Sequence, residues 1–189
     1  QEGGVVARFK KPFTQFQGNP SITTVDAAKE FAQTTAAELG QVGINMNLAP
    51  VLDVVPEESE SIMADRAFKG DAQTVSRLGC TIISTLQKNR MMAVAKHFPG
   101  IGRTVLDSHF HLPVLETDAD DLKENDLIPF ADAIAGDVAG MMLSHIFYPK
   151  LDSQWQASLS PAIARDLLRK RMGYDGLVFT DDLDMKAIQ

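Results

Sequence analysis

The chain has 189 residues, with 18 Lys plus Arg against 25 Asp plus Glu, and 44% of its residues are hydrophobic. This length and composition favour one folded domain with a buried core and exclude a long disordered chain. The net charge of −7 argues against nucleic-acid binding, which depends on clustered Lys and Arg. No apolar run approaches the ~20 residues that cross a bilayer. Cys80 is the only cysteine, and with the acidic balance it favours a cytoplasmic protein.

The predicted elements alternate between amphipathic helices and short apolar strands. In chain order they are helix 26–39, strand 44–51, helix 71–86, strand 92–97, helix 124–134, strand 140–145, helix 161–172 and strand 176–180. Asp26 is predicted to be the N-cap of the first helix and Gly40 to end it. Pro161 after Ser160 fits the first turn of the last helix. Strands and helices that alternate in this way predict βαβ units and a parallel sheet.

Polar side chains cluster where three of these strands end. The residues are Lys96 and His97, Ser144 and His145, and Asp181 and Asp182. Because ligands of parallel α/β folds bind at the carboxyl ends of the strands, this clustering predicts a site there.

The loop after the second strand contains Gly100 and Gly102, which allow it to fold back over the strand end. Asp107 and His109 follow, two residues apart. A carboxylate beside an imidazole fixes its tautomer, so that the histidine can act as a general acid and base. The other interpretation of this pair is an ordinary hydrogen bond within the loop.

The residues alone leave the chemistry open. Asp181 suits a nucleophile, a metal ligand or a helix N-cap. A metal-dependent hydrolase is a second interpretation, because His97, His109, His111 and His145 could supply an imidazole-rich site.

Two segments, KHFPGIGRTVLDSH at 96–109 and GLVFTDDLDM at 176–185, resemble bacterial β-N-acetylhexosaminidases of glycoside hydrolase family 3. Further matches occur in the family's order and cover nearly the whole chain. They are QEGG at 1–4, NLAPVLDV at 47–54, ADRAFKGD at 64–71, MLSHIFYP at 142–149 and SLSPAI at 158–163.

The resemblance implies an α/β fold, a (β/α)8 TIM barrel, of which residues 1–189 form one partial catalytic domain with roughly four βα units. It implies a retaining enzyme in which Asp181 is the nucleophile and His109, partnered by Asp107, is the acid/base. The sugar-binding positions of the family match Arg8, Arg66, Lys96 and His97.

The implied substrate is a saccharide with terminal β-linked N-acetylglucosamine, such as a peptidoglycan muropeptide, and no cofactor is expected. One alternative is a β-glucosidase of the same family. Another is an inert or sugar-binding fragment, since we expect further strands of the barrel outside these 189 residues.

The sequence departs from the family pattern at three positions. Ile101 replaces the second histidine of KHFPGHG, Arg103 stands at a position that is often acidic, and Val5 follows QEGG where arginine is common. We expect these changes to alter the mouth of the site without removing a catalytic group.

Overall fold

The computed structural model describes residues 1–106 and 112–185. Its centre is a parallel sheet whose strands β1 (Met46–Asn47), β2 (Met92–Phe98), β3 (Gly140–Leu143) and β4 (Leu177–Thr180) are neighbours in chain order. Parallel neighbours need crossover connections, and helical segments supply them. The predicted fold class, α/β with a partial barrel of parallel βα units, is confirmed.

The helical segments follow the predicted order. They are a 3₁₀ turn at Asn19–Ser21, α1 (Val25–Gln41), α2 (Ala72–Lys88), α3 (Ala119–Asp121), a π-helical stretch at Leu122–Asp126, α4 (Ile128–Ala135) and a second π-helical stretch at Ala162–Arg171. Within the described residues, no helix combines the length and the apolar character that crossing a membrane requires.

Both long helices begin at a side-chain cap. The Thr24 side chain accepts a hydrogen bond from the Ala27 N–H, so Thr24 and not Asp26 caps α1. The predicted stop at Gly40 is also wrong, because α1 continues to Gln41. In α2 the Asp71 side chain accepts from the Thr74 N–H, and the predicted apolar stripe is buried. The two helices pack against each other.

Two helical glycines provide a matched stability test of this packing. A Cβ added at Gly40 meets nothing within 4 Å, whereas one at Gly79 would lie 2.2 Å from Cδ2 of the fully buried Leu52. We expect Gly40→Ala to raise the free energy of unfolding by up to ~1 kcal/mol through helix propensity. Gly79→Ala should lower it by ~1–3 kcal/mol through overpacking. Urea unfolding measures both, and equal shifts would contradict the close approach of α2 to Leu52.

The first strand is shorter than predicted because a proline interrupts it. Pro50 has no N–H to give to a sheet, and regular pairing is confined to Met46–Asn47. The chain nevertheless continues beside β2, where the Val94 N–H donates to the Ala49 carbonyl and the Leu52 N–H to the Lys96 carbonyl. This irregular segment leads directly to Asp53.

The third and fourth predicted helices also differ in detail. Helix 124–134 is divided, and α4 begins only at Ile128, with Pro129 in its first turn. A proline inside a continuous helix would clash with the preceding turn, so the helix restarts there. The fourth is π-helical over Ala162–Arg171, and Ser160 accepts from the Ile163 N–H at its start.

The strand ends are tied together where the polar residues follow. The Ser144 N–H donates to the Phe98 carbonyl at 2.9 Å, and the Asp181 N–H donates to the Leu143 carbonyl at 3.0 Å. The ends of β2, β3 and β4 therefore lie side by side, and the residues that follow them lie at the same end of the sheet.

Candidate active site

The carboxyl ends of the strands border a cavity of about 570 Å³, a volume typical of small-molecule sites. Its ionisable lining residues are Glu2, Arg8, Arg66, Lys96, His97, Asp181 and Asp182. Every predicted catalytic or sugar-binding residue that the structure describes is in this set. Asp107, His109 and His111 lie outside the described residues.

Glu2 is the centre of a buried ion-pair network. Its two oxygens accept a forked pair of hydrogen bonds from Arg66, from Nε at 3.1 Å and from Nη2 at 2.8 Å. Lys96 Nζ lies 2.5 Å from Glu2 Oε1. The side chains of Glu2 and Lys96 are 4% and 8% exposed. Glu2 therefore fixes the position of two cations that were predicted to bind sugar.

The network shifts the pKa of Glu2 strongly. Burial alone would raise that pKa, but the hydrogen bond from Arg66 and the charges of Lys96 and Arg66 outweigh it and lower the pKa to about 2. For Arg66, burial favours the neutral form, yet the hydrogen bond and charge of Glu2 raise its pKa. Glu2 is thus ionised throughout the physiological pH range.

Asp53 orients His97 through the ring nitrogen that does not face the cavity. Asp53 Oδ2 lies 2.7 Å from His97 Nδ1, while Oδ1 accepts from the Ile101 N–H at 2.8 Å and the His97 N–H at 3.3 Å. A carboxylate only accepts, so His97 Nδ1 carries the hydrogen. His97 Nε2 then faces the cavity, 3.5 Å from Arg66 Nη2. This arrangement gives the imidazole one fixed orientation toward a bound ligand.

Asp181 is the carboxylate that remains accessible in this cavity beside His97. Its Oδ2 lies 3.8 Å from His97 Nε2, and its side chain is 26% exposed. Its Oδ1 accepts from the Asp182 N–H at 2.9 Å. One oxygen is therefore anchored to the backbone, and the other faces His97 Nε2.

The remaining predicted groups occupy different environments. Arg8 is exposed and lines the cavity. His145 is buried, with Nδ1 2.7 Å from Ser158 Oγ and Nε2 3.0 Å from the Asp182 carbonyl oxygen.

Ile101 and Arg103, which depart from the family pattern, both make contacts within the protein in the loop after β2. Ile101 is buried, and its N–H donates to Asp53. Arg103 Nε donates to Asp126 Oδ2 at 3.1 Å. Burial raises the pKa of Asp126 to about 6, against the charge of Arg103. Gly102 allows the predicted fold-back, since a Cβ there would lie 1.9 Å from the Val54 carbonyl oxygen.

A larger cavity, of about 800 Å³, lies between α4 and the π-helical stretch Ala162–Arg171. None of the predicted site residues lines it. Its lining comes from helical segments and the loop at Leu151, away from the polar strand ends, so it does not compete with the candidate site.

The described part of the chain contains no group of three or more His, Cys, Asp or Glu side chains arranged to hold a metal ion. His97 and His145 are both engaged by the hydrogen bonds given above. The positively charged guanidinium group of Arg66 also lies 3.5 Å from His97 Nε2, where it would repel a metal ion.

Comparison with known proteins gives the family. The family described as Glycosyl hydrolase family 3 N terminal domain matches residues 1–189. The chain belongs to glycosyl hydrolase family 3. A beta-hexosaminidase of Methylobacillus flagellatus is 36% identical over 98% of the chain, and one of Nitrosospira multiformis is 37% identical over 97%. The chain spans about half the length of these curated relatives, 55% of each.

Solved family 3 structures have the same fold. The β-N-acetylglucosaminidase from Paenibacillus sp. str. FPU-7 is 37% identical, with a TM-score of 0.93 over 100% of this chain and 36% of its own. Native NagZ from Neisseria gonorrhoeae is 31% identical, with a TM-score of 0.90 over 98% of this chain and 57% of its own. These similarities support the predicted barrel class.

Two residues of this site were not predicted, although both lie in segments that carry the family resemblance. Glu2 stands in QEGG and Asp53 in NLAPVLDV. A signal was present for Asp53, because a carboxylate inside an apolar run is rarely buried unless it is paired. Glu2 offered no such signal, since its partners lie 64 and 94 positions along the chain.

Proposed function

We propose that the full-length protein is a retaining β-N-acetylhexosaminidase that removes terminal β-linked N-acetylglucosamine, with peptidoglycan muropeptides as substrates and without a cofactor. The observation that carries the proposal is the accessible Asp181 carboxylate, 3.8 Å from the oriented His97 and in one cavity with Arg66 and Lys96. The names of the relatives and the family membership support the same chemistry.

The geometry suits a two-step displacement. Asp181 Oδ2 would attack the anomeric carbon and form a glycosyl-enzyme, and water would then hydrolyse it. His109, with Asp107, would protonate the departing oxygen in the first step and accept a proton from the water in the second. Arg8, Arg66, Lys96 and His97 would hold the sugar.

In this arrangement Glu2 and the two cations beside it have separate tasks. Glu2 neutralises part of the charge of Arg66 and Lys96 and holds both side chains still. Their remaining N–H groups would donate to sugar hydroxyls, and His97 Nε2 would accept from one. Holding the donors before the substrate binds reduces the entropy lost on binding.

The role of His109 has a specific kinetic signature. His109→Ala should lower kcat/KM by about 10²–10⁴-fold for substrates with a poor leaving group, because general acid catalysis is lost. Aryl substrates with a good leaving group should be affected far less in the first step. Steady-state kinetics with a series of aryl and alkyl β-N-acetylglucosaminides measures this. An equal loss for every leaving group would contradict the acid role.

The substrate class is tested on the full-length protein with matched 4-nitrophenyl glycosides. The β-N-acetylglucosaminide should exceed the β-glucoside in kcat/KM by about 100-fold or more, and NMR should show the β-anomer as the first product. Preference for the glucoside would favour the β-glucosidase alternative. Stoichiometric zinc with chelator-sensitive activity would favour the metal-dependent alternative, and the absence of any turnover would favour the non-enzymatic one.

We further propose a cytoplasmic location, which rests on the single Cys80 and the acidic charge balance. Fractionation of cells that produce the full-length protein tests this, and recovery outside the cytoplasm would contradict it.

A further inference from the structure

His145 lies behind the proposed nucleophile rather than in the substrate cavity. It follows β3, is 1% exposed, and does not line the cavity. Its two ring nitrogens contact two separate segments, Ser158 in the loop after β3 and Asp182 directly after the proposed nucleophile. A buried imidazole that bonds to both segments can hold the residues after β4 in a fixed position relative to the loop that contains Ser158.

The partners of His145 determine its tautomer. The Asp182 carbonyl oxygen can only accept, so Nε2 carries the hydrogen and donates across 3.0 Å. The neutral ring then has a lone pair on Nδ1, which accepts from the Ser158 hydroxyl at 2.7 Å. Both nitrogens are satisfied in this form, and the ring has one preferred orientation.

Residues 181–185, named here the nucleophile turn, depend on this contact. The carbonyl of Asp182 accepts from His145 and from the Met185 N–H, while the N–H of Asp182 donates to Asp181 Oδ1. Residue 182 is therefore held at its carbonyl, and through its N–H it holds the carboxylate that faces His97.

We propose that His145 is a positioning residue that fixes the nucleophile turn through the Asp182 carbonyl and so aims the Asp181 carboxylate. This inference rests on the proposed function, because the aim of Asp181 matters only if it attacks a sugar. It assigns His145 neither substrate contact nor proton transfer.

Two amide substitutions separate the two contacts of the ring. In His145→Gln the terminal amide reaches the place of Nε2 and can donate to the Asp182 carbonyl. In His145→Asn the shorter amide stays near Nδ1 and can contact only Ser158. The variants are alike in polarity, so the pair distinguishes the contact with the nucleophile turn from general packing.

The experiment uses the full-length protein, 4-nitrophenyl β-N-acetylglucosaminide as substrate and free N-acetylglucosamine as competitive inhibitor. His145→Asn should lower kcat by about 100-fold, the usual cost of a small misplacement of a reacting group, with little change in the inhibition constant. His145→Gln should stay within about tenfold of the parent protein. The reverse order, or equal kcat values per folded molecule, would overturn the inference.

Hydrogen exchange provides a readout that needs no turnover. The peptide covering residues 177–185 should exchange faster in His145→Asn than in His145→Gln, while α2 should exchange equally in both. If neither variant folds, His145→Phe replaces them and should speed exchange in the same peptide relative to the parent protein, because its ring occupies similar space and cannot donate to the Asp182 carbonyl. Unchanged exchange of this peptide would contradict the inference about His145, whether or not the parent protein is active. A parent protein without glycosidase activity would count against the proposed function alone.

Discussion

Asp181→Ala is expected to lower kcat for β-N-acetylglucosaminides by roughly four orders of magnitude, since the covalent route is lost with the nucleophile. Binding of free N-acetylglucosamine should change little, because Arg66 keeps its contact with His97 and Lys96 keeps its ion pair with Glu2. Steady-state kinetics and inhibitor titration on the full-length protein measure the two effects separately.

Two controls sharpen this expectation. Sodium azide should partly restore turnover in Asp181→Ala and give the α-glycosyl azide, because a small anion can attack from the side that the carboxylate occupied. Asp182→Asn is the control at the neighbouring carboxylate. The Asp182 side chain accepts a hydrogen bond from the Asp184 N–H, and the amide oxygen of asparagine can still accept it. Asp182→Asn should keep most of the activity. An equal loss of kcat in both variants would contradict the role of Asp181 as the nucleophile.

Glu2→Gln is expected to destabilise the protein by about 3–5 kcal/mol, the usual cost of removing one partner from a buried ion pair. Lys96 and Arg66 would keep their charges without the carboxylate that balances them. KM for the N-acetylglucosaminide should also rise, because the two side chains lose their fixed positions. Denaturant unfolding and kinetics together measure these effects.

A surface carboxylate with the same pairing provides the control. Asp166 also contacts two cations, Arg165 and Lys170, each at 2.9 Å, but both cations are more than half exposed. Asp166→Asn should therefore change stability little, because water screens exposed pairs. If the Glu2 and Asp166 variants lost similar amounts of stability, burial would not explain the importance of Glu2.

The pH dependence of stability gives an independent check on Glu2. Its folded pKa is lowered from 4.5 to about 2, so its stabilisation is complete above pH 4.5 and disappears as the pH falls toward 2. The shift corresponds to about 3 kcal/mol. The difference in unfolding free energy between the parent protein and Glu2→Gln should shrink over that range. Taking this difference cancels the opposite dependence of Asp126, whose raised pKa favours the folded state at low pH.

The sequence was sufficient for the fold class and for much of the site. The stripe of α2 and the apolar strands give the βα order through local periodicity, and parallel strand ends place Lys96, His97 and Asp181 together. These features depend on patterns within single elements. They needed no knowledge of which distant segments touch.

The features that were missed depend on long-range or backbone effects. Pairing of Glu2 with Arg66 joins segments 64 residues apart, and no local pattern encodes it. The interruption at Pro50 ends regular pairing that apolarity alone predicted over 44–51. The π-helical turns at Leu122–Asp126 keep an amphipathic pattern close to that of an α-helix, so periodicity does not distinguish them.

The Asp53–His97 pair also changes how the sequence motif is interpreted. The motif starting at Lys96 was predicted to supply two ligands for the sugar. The structure shows that the second, His97, is itself held by a buried acid 44 residues earlier in the chain. One tautomer is thereby selected, and Nε2 is left to face Asp181 and the cavity at the strand ends.

The most direct test of the central claim is to trap the covalent intermediate on the full-length protein. A 5-fluoro-N-acetylglucosaminyl fluoride forms the glycosyl-enzyme and leaves it slowly, so peptide mass spectrometry can locate the attached sugar. We predict one sugar on the peptide that contains Asp181, with fragmentation placing it on that carboxylate and no label in Asp181→Asn. Attachment to another side chain, or turnover with inversion and no attached sugar, would contradict the account.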